Sequence, residues 1–118
     1  MNKPTFTHCN PVALLDDVGG DAAMFRMLAD VFFRESRAKF AALKLAAQQN
    51  DMAALGAHSH ALKGTVGPIA PTRLLQMLQI LEDECNEQRC RCGPSRLAAL
   101  LSELSAVAAE MRQFIGQL

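Results

Sequence analysis

Apolar residues recur along this chain at the three-to-four-residue spacing of a helix, and glycines, prolines and capping residues cut the pattern into segments. Asn10 followed by Pro11 reads as an N-cap and first helical position, with Val12, Leu14, Leu15 and Val18 behind them. Gly19-Gly20 ends this short helix, and Asp21 caps the next. From Ala22 to Gln49 no Gly or Pro intervenes, and Phe25, Leu28, Phe32, Ser36, Lys39 or Phe40, Leu43 and Ala47 form one stripe. Asn50-Asp51 supplies a turn and a cap for a third segment, which carries Leu55, Leu62 and Val66 with Ser59 between them and stops at Gly67-Pro68. Pro71-Thr72 opens a fourth, with Leu74, Leu78, Leu81 and Cys85 as its stripe. A polar turn from Arg89 to Gly93 precedes Pro94-Ser95, and a last helix shows Leu97, Leu101, Leu104, Ala108, Met111 and Ile115. No useful stretch alternates with period two, so strands are not expected. The pattern predicts an all-α fold: an antiparallel four-helix bundle with a short additional N-terminal helix. It forms one domain over 1–118, in which residues 1–9 are read as a flexible N-terminus and His8 as a histidine without a role.

Composition narrows the function classes. The 118 residues carry 12 Lys+Arg against 12 Asp+Glu, are 50% apolar, and contain no Trp or Tyr. A neutral chain without those rings lacks the basic field and stacking platforms of a nucleic-acid binder, and it lacks the charge that draws a protein to an anionic membrane. No apolar run approaches the roughly 20 residues of a membrane span. The N-terminus shows no apolar stretch like that of a signal peptide, so a cytoplasmic protein is expected. Met1 and the compact boundaries favour a free-standing protein over a domain excised from a longer one. Cys9, Cys85, Cys90 and Cys92 are read as reduced thiols, since Cys90-x-Cys92 lacks the two-residue gap and the second ligand pair of a zinc knuckle.

Chemistry concentrates at His58-Ser59-His60-Ala61-Leu62-Lys63-Gly64. On a helix His60 lies about 200° from Leu62, away from the core stripe, whereas His58 lies about 40° from it and leans toward the core edge. The two rings diverge too far to chelate one metal, which favours i and i+4 spacing. Gly56, Ala53, Ala57, Gly64 and Gly67 all fall within about 60° of His60. Each glycine costs roughly 1 kcal/mol relative to Ala in a helix, and a low surface that lets a bulky partner reach the imidazole is the compensation this pattern suggests. Lys63 adds a positive charge that suits a ring carrying a phosphoryl group. Phe33 falls off the main stripe of its helix as a possible apolar contact for a partner, and Arg26, Arg34, Arg37, Lys39 and Lys44 read as a solvated face.

His60-Ala61-Leu62-Lys63-Gly64 resembles the His-x-Leu-Lys-Gly signature of histidine-containing phosphotransfer (HPt) domains. Leu15-Asp16 with Gly20-Asp21, the run from Phe32 to Leu43, and Leu81-Glu82 one helix after the His are similar to further parts of the same family. The resemblance implies that His60 is the phosphoacceptor, that Lys63 assists electrostatically, that Gly64 leaves room for the partner, and that Glu82 faces the imidazole as a polar partner. It implies a phosphocarrier without autonomous catalysis and without a cofactor of its own, with Mg²⁺ on the partner. The implied partners are response-regulator receiver domains or a hybrid sensor histidine kinase, and a monomer keeps the bundle face open. Thr65-Val66-Gly67-Pro68-Ile69-Ala70-Pro71 departs from the family's small polar run, and Pro68 is expected to end the third helix early. Two other readings compete: an interaction-only bundle that docks on a receiver or kinase without carrying phosphate, and a metal-binding bundle using Cys85, Cys90, Cys92 and a His.

Overall fold

The computed structural model describes residues 6–118, and among them every regular element is helical. The elements are α1 (Pro11–Asp17), α2 (Ala22–Gln48), α3 (Met52–Val66), a single 3₁₀ turn (Gly67–Ile69), α4 (Thr72–Asn86) and α5 (Pro94–Ile115). The chain's own capping chemistry sets most of these boundaries. The side chains of Asn10, Asp21 and Asp51 accept hydrogen bonds from the N–H groups of Ala13, Met24 and Ala54, satisfying donors that the first helical turn leaves free. Proline occupies the first turn of α1 and α5, where a missing N–H costs nothing.

Helices α2, α3, α4 and α5 contact one another in cyclic order, joined by short connections, so neighbours run antiparallel. The long α2 sets the 47 Å axis of the molecule. Phe25, Phe32 and Leu43 from α2, Leu62 and Val66 from α3, Leu74, Leu78 and Leu81 from α4, and Leu100, Val107 and Met111 from α5 fill the centre. In α2 the inward position is Phe40. Lys39 instead crosses to α3, donating to Thr65 Oγ1 at 2.6 Å and lying 3.6 Å from Glu35, so it is not part of a freely solvated face.

Two expectations change here. In α5 the buried stripe is Leu97, Leu100, Leu104, Val107, Met111 and Phe114, while Leu101 is 48% exposed and Ala108 and Ile115 sit at the edge. The second change concerns the N-terminus, where Phe6–Cys9 is held down. Glu110 of α5 accepts from the N–H groups of Thr7 (3.0 Å), His8 (2.9 Å) and Cys9 (3.1 Å). Phe6 packs edge-on against Phe114, and Cys9 is buried. His8 Nδ1 lies 2.8 Å from Glu103, which also approaches Arg73 at 3.7 Å. At Thr7–Cys9 a bent strap with three consecutive backbone donors on one carboxylate stands where a loose end is expected, because leaving those donors unpaired beside a buried Cys9 would be costly. The remainder of that segment, residues 1–5, lies outside the described residues.

Pro68 does end α3, as its missing N–H and fixed φ require. The chain continues as one 3₁₀ turn, whose buried Ile69 accepts from the N–H of Asn10 at 2.6 Å and so docks α1. Ala70 takes up a left-handed conformation (φ 50°) to redirect the chain into α4.

Candidate functional site

Leu62 and Val66 fix α3 in the core and Leu78 and Leu81 fix α4, which determines what the two helices present along their shared seam. From α3 comes His60, with its side chain 75% exposed; from α4 comes Glu82, with its side chain only 12% exposed. Nδ1 of His60 lies 2.7 Å from Glu82 Oε1 and 3.4 Å from Oε2. One turn further along α3, Lys63 donates to Glu82 Oε2 at 3.2 Å and to Gln79 Oε1. Gln79 in turn donates to Asp83 at 2.8 Å. His60, Lys63 and Glu82 therefore form one unit with the carboxylate at its centre. Ser59 points the other way, buried and donating to the Leu55 carbonyl at 2.8 Å.

Burial pushes the Glu82 carboxyl up, but hydrogen bonds and charge from Lys63 and His60 outweigh it and hold the group below the usual carboxylate range. Glu82 is therefore an anion at neutral pH and can only accept hydrogen bonds. The proton on the His60 ring must then sit on Nδ1. In the neutral ring the lone pair is then on Nε2, which has no hydrogen-bond partner among the described residues, in a side chain that is 75% exposed.

The glycines divide into two kinds. A Cβ on Gly56 would meet Cys85 Cβ at 3.1 Å, so this residue lies buried where α3 and α4 approach and is not part of an open face around His60. At Gly64 a Cβ would meet no described atom of this chain within 4 Å, and the same holds at Gly67. Neither residue has a left-handed φ. Nothing inside the fold calls for a glycine at 64, which leaves the space beside the ring open to something outside it.

All four expected residues, His60, Lys63, Gly64 and Glu82, come together at one place. The differences are of detail: Lys63 is not a free cation beside the ring but is bound to Glu82 and to Gln79, which donates in turn to Asp83; sequence reasoning singled out neither Gln79 nor Asp83. Gln79 lies one turn before Glu82 on α4, and that spacing is the signal that could have found it. His58 is half-buried at the core edge. Burial pushes the thiols of Cys9 and Cys85 up to about 12, so neither is a thiolate near neutral pH. Among the described residues no group of three or more His, Cys, Asp or Glu is placed to hold a metal ion, and no helix is long and apolar enough to cross a membrane.

The helical bundle thus displays one imidazole at its surface, held from behind by a carboxylate. The model of the Hpt domain family matches residues 27–110, and the chain belongs to that family. It is a histidine phosphotransfer protein of phosphorelay signalling, a family of phosphocarriers. Its fold matches the crystal structure of histidine-containing phosphotransfer protein B (HptB) from Pseudomonas aeruginosa PAO1, with a TM-score of 0.84, 19% identity, and coverage of 97% of this chain and 99% of that one. No curated protein sequence matches the chain.

Proposed function

We propose that His60 accepts a phosphoryl group from the aspartyl phosphate of a receiver domain and passes it to the aspartate of a second receiver. The observation that carries this reading is the 2.7 Å contact of His60 Nδ1 with Glu82 in a side chain that is 75% exposed, which supports a neutral ring with its proton on Nδ1 and its lone pair on Nε2. Nε2 attacks phosphorus, the N–P bond forms, and the bond from phosphorus to the aspartate oxygen breaks as the carboxylate leaves with its electron pair. The Nδ1 proton stays in place, so the phosphorylated ring is an imidazolium whose charge Glu82 stabilises. Return transfer reverses these events with no proton to relocate. Lys63 is a positioning residue that fixes the Glu82 carboxylate. Gly64 keeps the approach to the ring clear.

The Mg²⁺ that neutralises the transferring group belongs, in this scheme, to the receiver, along with its acidic residues. Each receiver, or the receiver of a hybrid sensor kinase, docks in turn on the exposed face of α3 and α4. A monomer leaves that face free. The test is incubation with a phosphorylated receiver and Mg²⁺, followed by assay for acid-labile, alkali-stable label on the chain. His60→Gln should take up none while still binding the receiver; label persisting in that variant overturns the assignment.

A further inference from the structure

On the side of the bundle opposite the α3–α4 seam, α5 stands away from α2 and leaves a long depression. Two clefts of about 560 Å³ and 210 Å³ meet there, sharing Phe40 and Leu101 as common walls. The floor is apolar: Phe40, Leu97 and Leu104 are buried beneath it, and Leu101 stands 48% exposed inside it. Ala98, Ser105 and Ala108 keep the α5 wall low. The lining runs from Phe33 to Gln48 along α2, about 22 Å at 1.5 Å per residue.

Charge on this face is one-sided. Arg37, Lys44 and Arg112 rim the depression, and among the described residues neither cleft has an acidic side chain in its lining. None of the three forms an ion pair with a described carboxylate, although Arg112 lies over the Phe33 ring at 4.9 Å. In a chain whose charges balance at 12 against 12, this separation is local. Elsewhere Lys63, Lys39 and Arg96 each have a carboxylate partner.

We infer that the α2–α5 groove is a second docking site, taking an acidic amphipathic helix of a partner protein, and that it works independently of His60. A helix of about four turns matches the length, its apolar stripe fits between Phe40 and Leu101, and its flanking Glu or Asp residues meet Arg37, Lys44 and Arg112. Because this groove and the His60 seam lie on opposite edges of the four-helix square, a partner held here leaves the imidazole accessible. The bundle could thus be tethered to one protein while exchanging phosphoryl groups with another.

The test uses the full chain and a synthetic 18-residue helical peptide with Leu at i, i+3, i+4 and i+7 and Glu at the flanking positions. Amide shift mapping should place it at Phe33, Phe40, Leu101 and Ala108, with His60 undisturbed. Arg37→Glu with Lys44→Glu should weaken binding by about tenfold or more, and raising the salt should weaken it several-fold. Receiver-dependent labelling of His60 should proceed unchanged with the peptide bound. Any of the following overturns the inference: no binding at millimolar peptide, equal binding of a peptide with Lys in place of every Glu, shifts centred on His60, or self-association of the chain through the same residues. Tighter binding of a duplex oligonucleotide to the same cations also overturns it, in favour of nucleic acid.

Discussion

Alanine at position 64 separates two roles that a helical glycine can play. The added Cβ would meet no described atom of this chain within 4 Å, so the folded state accepts it without displacement. In a helix interior the exchange gains about 1 kcal/mol, but Gly64 lies two residues from the end of α3, where about 0.5 kcal/mol is the better figure. For a domain of this size that raises Tm by roughly 2–3 °C. The same methyl group rises beside the face of His60 that a receiver must reach. A displacement of the reacting atoms on the order of 1 Å can cost about 100-fold in rate, so Gly64→Ala should slow single-turnover transfer from a phosphorylated receiver by about tenfold or more. Gly56→Ala should do the reverse. Its Cβ would lie 3.1 Å from Cys85 Cβ, and making room by a few tenths of an ångström at that packed contact costs about 1–3 kcal/mol, which outweighs the propensity gain. That variant melts earlier, yet its folded fraction transfers at close to the normal rate. Calorimetry and rapid-quench labelling of both proteins decide the matter. If Gly64→Ala transfers at the wild-type rate, the glycine is not kept open for a partner and the reasoning fails.

Glu82→Gln keeps an oxygen near Nδ1 but removes its charge, and its amide can also turn a donor toward the ring; losing about 1 kcal/mol of charge-assisted bonding should slow labelling by roughly fivefold. Imidazole ¹⁵N shifts should then show a mixture of tautomers, and an unchanged Nδ1–H form would contradict the role given to Glu82. The Glu82 pKa is lowered in the folded chain, so its contribution to stability is present above the ordinary carboxyl value of 4.5 and is lost as pH falls through the lower folded value. The stability gap between wild type and Glu82→Gln should accordingly be flat above about pH 5 and close in acid, as urea titrations at several pH values can check. Glu110→Ala leaves three N–H groups of the N-terminal strap without their acceptor, one of them on buried Cys9; a cost of about 1–3 kcal/mol should lower Tm by roughly 4–10 °C without changing transfer from the receiver. The His8 pKa is raised above 6.5, first by its hydrogen bond to Glu103, so the stability it adds is fully present below 6.5 and is lost as pH rises through the higher folded value. His8→Gln should therefore differ most from wild type near pH 6 and least near pH 9, and a gap that widens with pH would refute the pairing.

Helix ends were the most legible part of this chain, because Asn10, Asp21, Asp51, Pro68 and Pro94 act locally and their chemistry is the same wherever they occur. The site was legible for a similar reason, since His60, Lys63 and Gly64 share one turn of one helix. What sequence could not decide was orientation among near-equivalent stripes. In α5, Leu97, Leu104 and Met111 belong to both the expected and the observed stripe, and the choice between Leu101-Ala108-Ile115 and Leu100-Val107-Phe114 depends on where the neighbouring helices stand. Gly56 shows the same limit. It lies about 40° from His60 on the Lys63 side, and that side turns out to face α4. The clasp of Glu110 on residues 7–9 joins groups about a hundred positions apart, and no local pattern announces it.

That clasp also bears on the order in which the molecule assembles. The densest packing joins α2 to α3 and α3 to α4, pairs adjacent in sequence that can meet early because they close only short loops. The strap pairs Thr7 with Glu110 across 103 positions and His8 with Glu103 across 95. Its contacts form only once α5 is seated, so they are the natural last step of folding and the first to open under native conditions. Amide exchange should then find two tiers of protection: a fast one at Thr7–Cys9, and a slow one at the α3–α4 pair that carries the imidazole. The end of the chain could loosen and reclose many times while His60 and Glu82 stay in register.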